Sequence, residues 1–332
     1  EMEIPVIKMD ELYGEKRTET LSHLHDACAQ WGFFWLENHE VSEELMHMMK
    51  VLVNKHYEHN MEKSFYNSEM AKTLAYEKAA SNVDWECSFM YRHRPKSNSH
   101  DIPEVFRTTI RDYAEELVKV AEKLAEVMSE NLGLDKDYLK RAFSEPSVGI
   151  KVAKYPRCSH PNLVMGLREH TDAGGIILLF QDDLVPGLEF MKDGKWVPIP
   201  PMKGNRIFVN LGDQIEVMSN GMYKSICHRV LPNENGSRLS IATFYNPGSD
   251  AIICPAPKLT YPSQYRFQDY LNFYSTAKFT DKVSRFQTTK MMFNFSQDGV
   301  GSLSSSFKQT PLNFTLMPTL GHEAQQKVTK FQ

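Results

Sequence analysis

The sequence predicts a mainly β core flanked by helices. Two textures carry that prediction. From Ser147 to about Pro255 the chain breaks into short β-rich segments, SVGIKVAKY, GGIILLFQ, GLEFM, KWVPIP, RIFVN, YKSICHRV and RLSIATFYN. Turn sequences such as KDGK, KGN, SNG and NENG separate them. On either side, apolar residues recur at helical spacing instead. Short strands with hairpin-like gaps suit a sandwich, a jelly roll or a closed barrel. No helical pattern alternates with them and no GxGxxG precedes a helix, which argues against a Rossmann or (β/α)₈ arrangement.

The elements follow in order. Leu21, Leu24, Cys28 and Trp31 mark a first helix, and Gly32 stops it. GFFWLEN then reads as a short buried strand. A second helix runs from about Ser42 through Leu45, Met49 and Leu52. A third starts near Pro103, carries Tyr113, Leu117, Val120, Leu124, Val127 and Met128, and stops at Leu132-Gly133. The β core occupies 147–257, and a C-terminal helix runs over 265–290 through Tyr270 and Phe273. Residues 1–290 thus read as one domain with a helical N-terminal part, 1–146. Residues 291–332 are Ser/Thr/Gln-rich and aperiodic, a loosely structured tail.

Composition narrows the function. The chain has 332 residues, 41% of them hydrophobic, and a formal net charge of −4. That balance gives no reason to invoke nucleic acid or an anionic membrane. No run approaches the ~20 apolar residues of a membrane span, and the N-terminus lacks the pattern of a secretory signal. The five cysteines are odd in number, widely spaced and without a CxxC pair. They favour a reducing compartment, so a cytoplasmic setting is expected.

The chemistry concentrates in GLREHTDAGG, 166–175. If this stretch is extended, Arg168, His170 and Asp172 project from one face. His228 lies on a later strand in KSICHRV, and Arg238-x-Ser240 forms another i, i+2 pair. Two imidazoles and one carboxylate on a β scaffold match the facial triad of non-haem Fe(II) oxygenases, which leaves coordination positions open. Gly174 and Gly175 allow close backbone approach just past the ligands. Lys151 and Tyr155 are two alternations apart and can face inward together, while Phe244 lies two alternations from Ser240 and offers an apolar wall. Arg168 and Lys151 are expected to add positive charge and draw small anions into the pocket. The remaining histidines, including His56 and His59, read as surface residues.

The order H-x-D … H … R-x-S resembles the plant 2-oxoglutarate/Fe(II) dioxygenases. EMEIPVI, WGFF, DWE, GLREHTDAGGIILL, DGKWV, VNLGDQIEV and GSRLSIATFYNPGSDAII resemble the 1-aminocyclopropane-1-carboxylate oxidases more closely, over about residues 2 to 290. The resemblance implies a distorted double-stranded β-helix core with N-terminal helices and a C-terminal helix. It implies oxidation of 1-aminocyclopropane-1-carboxylate by O2 to ethylene, CO2 and cyanide, with ascorbate as reductant and bicarbonate as activator. By position, His170, Asp172 and His228 hold Fe(II). Arg238, Ser240, Lys151 and Arg168 serve substrate or anions, and Arg285 supports catalysis from the C-terminal helix. Several positions depart from the family pattern: Ile150 for a Thr near the pocket, Glu40 for a Gly, Ser159-His160 within a proline motif, and Gln287 for a Glu. Two other readings stay open, a 2-oxoglutarate-dependent hydroxylase of a small plant metabolite and a non-enzymatic protein on the same scaffold.

Overall fold

The computed structural model describes residues 3–75, 84–95, 102, 104–256, 264–279, 282–283 and 285–286. Its strands are β1 (Val6–Lys8), β2 (Phe33–Glu37), β3 (Cys87–Arg94), β4 (Ser147–Tyr155), β5 (Leu167–His170), β6 (Ile176–Gln181) and β7 (Leu188–Lys192). They continue as β8 (Lys195–Pro198), β9 (Ile207–Leu211), β10 (His228–Val230), β11 (Arg238–Asn246), β12 (Ile252–Ile253) and β13 (Tyr265–Arg266). A seven-stranded sheet runs β1-β2-β9-β6-β11-β4-β3, and a four-stranded sheet runs β5-β10-β7-β8. The protein is mainly β with flanking helices, as predicted.

Alternation divides the large sheet into two faces. On β4 and β11, Val148, Ile150, Val152, Leu239, Ile241, Thr243 and Tyr245 are buried. The helix Glu104–Asn131 packs along β4, β6 and β11. Its Tyr113, Leu117 and Leu124 are fully buried in the core, and a side chain so buried contributes about 1.5–3 kcal/mol. The helix ends where the Leu-Gly signal placed it. Gly133 turns left-handed at φ 71°, and Leu134 N bonds back to Ser129 O at 3.0 Å, a Schellman closure. The opposite face of β4 and β11 carries Lys151, Tyr155, Arg238, Ser240 and Phe244. In register, Arg238 lies across from Tyr155, Ala242 across from Lys151 and Phe244 across from Gly149.

The earlier helices also follow their signals. Arg17–Asp26 widens into a π turn over Ala27–Trp31, and Gly32 closes it at φ 73°. Ser42 caps Glu43–His56 by accepting from Leu45 N at 3.3 Å.

Several expectations need correction. The part before residue 147 holds more strand than expected: β2 is the strand read in GFFWLEN, and β1 and β3 join the large sheet with it. The run YKSICHRV is a strand only over His228–Val230. Its first half is tied by side chains, with Ser225 N donating to Glu216 and Ser225 Oγ to Asp213. The strand through GLREH stops at His170, so Asp172 lies beyond it. The C-terminal helix spans Phe267–Ala277 and breaks at Lys278–Phe279, where Arg285 Nη1 takes the Lys278 carbonyl at 2.7 Å. His39 and His93 are buried, not on the surface. The expected tail, residues 291–332, and residues 287–290 of the expected helix lie outside the described residues.

Candidate functional site

His170 ends β5 and His228 begins β10, and the two are direct register partners in the small sheet. Pairing alone therefore brings two imidazoles from distant sequence to one place, with ring centroids 4.4 Å apart. His170 Nδ1 lies 2.8 Å from Arg168 O and His228 Nδ1 lies 3.2 Å from Ile226 O. Each backbone carbonyl occupies one ring nitrogen, which aims Nε2 inward. Asp172 completes the set, with Oδ1 3.7 Å from His170 Nε2 and Oδ2 3.6 Å from His228 Nε2. The ligand atoms of the three residues all lie within 4.8 Å of one another. Metal bonds of about 2.1 Å separate neighbouring ligands by about 3 Å and opposite ones by about 4 Å. The donor set and its spacing fit Fe(II). Burial, then His228 and Lys278, pushes the His170 imidazole well below its ordinary value. That direction favours the neutral ring that metal ligation requires.

The turn carrying Asp172 is held from several sides. Asn210 Nδ2 on β9 donates to Asp172 Oδ2 at 2.9 Å, and Asp213 N donates to the Asp172 carbonyl at 2.8 Å. Thr171 receives the Tyr274 hydroxyl on its carbonyl and Arg285 Nη2 on its hydroxyl. Arg285 is buried and also faces the buried Asp213 carboxylate at 3.4 Å. Burial raises the Asp213 carboxyl, with Arg285, Tyr270 and Ser225 opposing. Arg285 thus bonds the turn that carries Asp172. The two glycines after the turn sit at close approach to their neighbours. A Cβ on Gly174 would fall 1.7 Å from Asn246 Oδ1, and one on Gly175 would fall 2.5 Å from the Phe143 ring.

Of the other candidate residues, Lys151, Tyr155, Arg238, Ser240 and Phe244 lie on one face of β4 and β11. Arg238 is 2% exposed, donates from Nη2 to Gln181 Oε1 at 2.6 Å, and lies 5.4 Å over the Tyr155 ring. Its Nη1 is buried and has no hydrogen-bond partner among the described residues. A buried guanidinium with a spare donor calls for an anion. Ser240 is buried two residues on, and Phe244 is partly exposed on the same face. Lys151 and Arg168 are near, as the spacing predicts, but neither is an unpaired cation. Lys151 Nζ lies 2.8 Å from both Glu86 oxygens. Arg168 donates to Asp84 from Nε at 2.9 Å and stacks 3.9 Å over Phe279, beside His170. The expectation that both add net positive charge is corrected by these two carboxylates.

Comparison with known proteins agrees with the geometry. The 2OG-Fe(II) oxygenase superfamily matches residues 147–247, and the "non-haem dioxygenase in morphine synthesis N-terminal" family matches residues 4–109. A solved structure of JOX2 in complex with 2OG, Fe and JA superposes with a TM-score of 0.74 at 31% identity, covering 86% of this chain and 88% of that one. The dioxygenase for auxin oxidation in rice superposes with a TM-score of 0.65 at 23% identity, over 83% of this chain and 96% of that one, which shows the fold alone. The core is therefore the double-stranded β-helix jelly roll. 1-Aminocyclopropane-1-carboxylate oxidase 1 of Arabidopsis thaliana is 58% identical over 89% of this chain and 96% of its own length. The chain belongs to the 1-aminocyclopropane-1-carboxylate oxidase family. Oxidase 2 of Malus domestica is 49% identical over 86% of this chain and 91% of its own.

Family membership makes the chain a non-haem iron oxidoreductase, and its departures from the oxidase pattern can be placed. Ile150 is fully buried on the face opposite Lys151, so it takes no hydroxyl from the pocket. Its register partner Thr243 instead keeps a buried Oγ1 without a hydrogen-bond partner among the described residues. Glu40 adopts φ 63°, a left-handed conformation that suits glycine. Gln287 lies outside the described residues. Sequence reasoning missed Asn210, Gln181, Asp84 and Glu86 as the partners of Asp172, Arg238, Arg168 and Lys151. The alternation in Asp84-Trp85-Glu86 was the signal available for the last two.

Proposed function

We propose that the protein converts 1-aminocyclopropane-1-carboxylate, O2 and ascorbate to ethylene, CO2 and cyanide, with bicarbonate as activator. The observation that carries this reading is the meeting of His170, Asp172 and His228 beside a buried arginine with a spare donor. It occurs in a chain 58% identical to a curated oxidase of that name. These three residues would hold Fe(II), which supplies the one-electron chemistry that O2 requires. Ascorbate supplies an electron pair, the substrate supplies a second, and O2 leaves as water.

The chain's own residues bind and orient. Arg238 offers Nη1 to a carboxylate or bicarbonate, with the Ser240 hydroxyl two residues along the same face. The Tyr155 ring beneath the guanidinium and Gln181 on Nη2 restrict its swing. Phe244 and Ala242 give the cyclopropane carbons an apolar wall. Arg285 keeps the Asp172 turn in place through Thr171. Residues 1–290 form the catalytic unit, acting in the cytoplasm on small molecules. Among the described residues no helix is long and apolar enough to cross a membrane.

The test is direct. Purified protein with Fe(II), ascorbate, bicarbonate and 1-aminocyclopropane-1-carboxylate evolves ethylene, read by gas chromatography, without 2-oxoglutarate. Asp172→Ala removes the only anionic ligand and abolishes the signal. The JOX2 structure, a complex with 2OG, motivates the second reading. Strict dependence of turnover on 2-oxoglutarate would establish it instead.

A further inference from the structure

Strands β7, β10 and β5 place Phe190, His228 and His170 side by side, because Phe190 and His170 are both register partners of His228. Their rings form a row across the small sheet, 4.6 Å from Phe190 to His228 and 4.4 Å from His228 to His170. The two contacts differ in kind. The imidazoles are tilted by 51° to each other, whereas Phe190 lies within 11° of parallel to His228 and stacks on it.

Phe190 is itself held. It is 1% exposed and packs on Phe33 at 4.7 Å and Phe208 at 5.3 Å. Both come from the large sheet. Phe33 is the register partner of Asn210, and Phe208 is one alternation from Asn210 on β9. The face that sends Asn210 to Asp172 therefore also sends two phenyl rings to Phe190. Trp31 backs Phe33 edge-on at 5.6 Å, and Trp35 backs Phe208 at 5.1 Å.

The two histidines need different support. His170 Nδ1 lies 2.8 Å from a backbone carbonyl, while the equivalent contact of His228 is longer, at 3.2 Å. His228 is also the first residue of a three-residue strand, and residues 225–227 before it are not strand. The terminal torsion of a histidine is broad, so one long hydrogen bond constrains the ring plane weakly. A fixed flat ring against the imidazole constrains it directly. Metal ligation also makes an imidazole electron-poor, and the face of a phenyl ring is electron-rich, so the stack favours the ligated ring.

We infer that Phe190 is a positioning residue of the metal centre, which fixes the plane of the His228 imidazole so that Nε2 meets His170 and Asp172. The inference rests on the reading of His228 as a metal ligand. It gives a role to a side chain that burial alone would count as core.

The experiment compares Phe190→Leu with Phe208→Leu. Both remove a ring from the same aromatic cluster, but only the first removes the face against His228. Ferrous affinity is read by anaerobic equilibrium dialysis, and ligand geometry by the visible absorption of the Co(II)-loaded protein. Phe190→Leu raises the ferrous dissociation constant about three- to tenfold and shifts the Co(II) bands. Phe208→Leu lowers the urea midpoint of the metal-free protein but leaves the bands in place and the affinity within about twofold. Phe190→Met, which fills the gap without a ring, replaces Phe190→Leu should that variant fail to fold. Affinity within about twofold and unshifted bands in the Phe190 variant overturn the inference. So do equal changes in both variants, which would assign the effect to a loosened core. Wild-type protein that binds no Fe(II) overturns the metal-centre reading itself.

Discussion

Asn210 supplies the sharpest test of how the metal centre is held. It sits on β9 between Phe33 and Ile177 in register, and its side chain is buried. Its side chain makes the 2.9 Å donation to Asp172 Oδ2. Asn210→Ala deletes that bond and little else. A hydrogen bond to a charged acceptor is worth about 1.5–3 kcal/mol. Loss of a partner to a metal ligand reduces metal affinity about 10–100-fold, and each tenfold corresponds to about 1.4 kcal/mol. The two routes overlap at about 1.5–2.8 kcal/mol. The expected result is a ferrous dissociation constant raised about 10–100-fold, read by anaerobic equilibrium dialysis. Urea unfolding of the metal-free protein reports the accompanying loss of fold stability, about 1–3 kcal/mol for an unsatisfied carboxylate oxygen. A change in iron affinity below about threefold, with stability lowered, would show that Asn210 serves the sheet and not the ligand, and would refute the reasoning.

Four further outcomes follow from the same geometry. Arg238→Lys replaces a planar fork with a point charge that does not reach Gln181 and the pocket together. It weakens activation by bicarbonate and saturation by ascorbate while iron binding is unchanged; an unaltered response to both anions removes Arg238 from the site. Arg285→Met strips the countercharge from buried Asp213 and lowers stability by about 3–5 kcal/mol, and adding Asp213→Asn recovers much of it; additive losses in denaturant titration would contradict the pairing. Thr243→Val removes an unpartnered buried hydroxyl and raises the urea midpoint by the equivalent of about 1–2 kcal/mol; a lower midpoint would mean the hydroxyl is satisfied. Burial lowers the His39 imidazole below its ordinary 6.5, against the pull of the Asn205 carbonyl, and its Nδ1 accepts from Val41 N. The unfolded chain binds more protons below 6.5, so this stability is present above that pH and is lost as pH falls through the folded value. Urea midpoints at acidic and neutral pH should separate in the wild type and converge partly in His39→Gln.

Much of this protein was legible in one dimension. Alternation along SVGIKVAKY and RLSIATFYN set which residues face the pocket, because a strand has only two sides. Gly32 and Gly133 marked helix ends, because local backbone conformation decides them. The residue types of the triad identified the metal chemistry, since imidazole and carboxylate donors are chemical properties that the letters carry. What the letters could not carry was partnership between distant segments. The strand through GLREH ends at His170, and Asp172 meets the two histidines by a turn that Asn210, Tyr274 and Arg285 hold from other parts of the chain. Lys151 and Arg168 read as unpaired cations until Glu86 and Asp84 were placed against them. Charge in a pocket is a sum over neighbours in space, and only the tertiary structure says who those neighbours are.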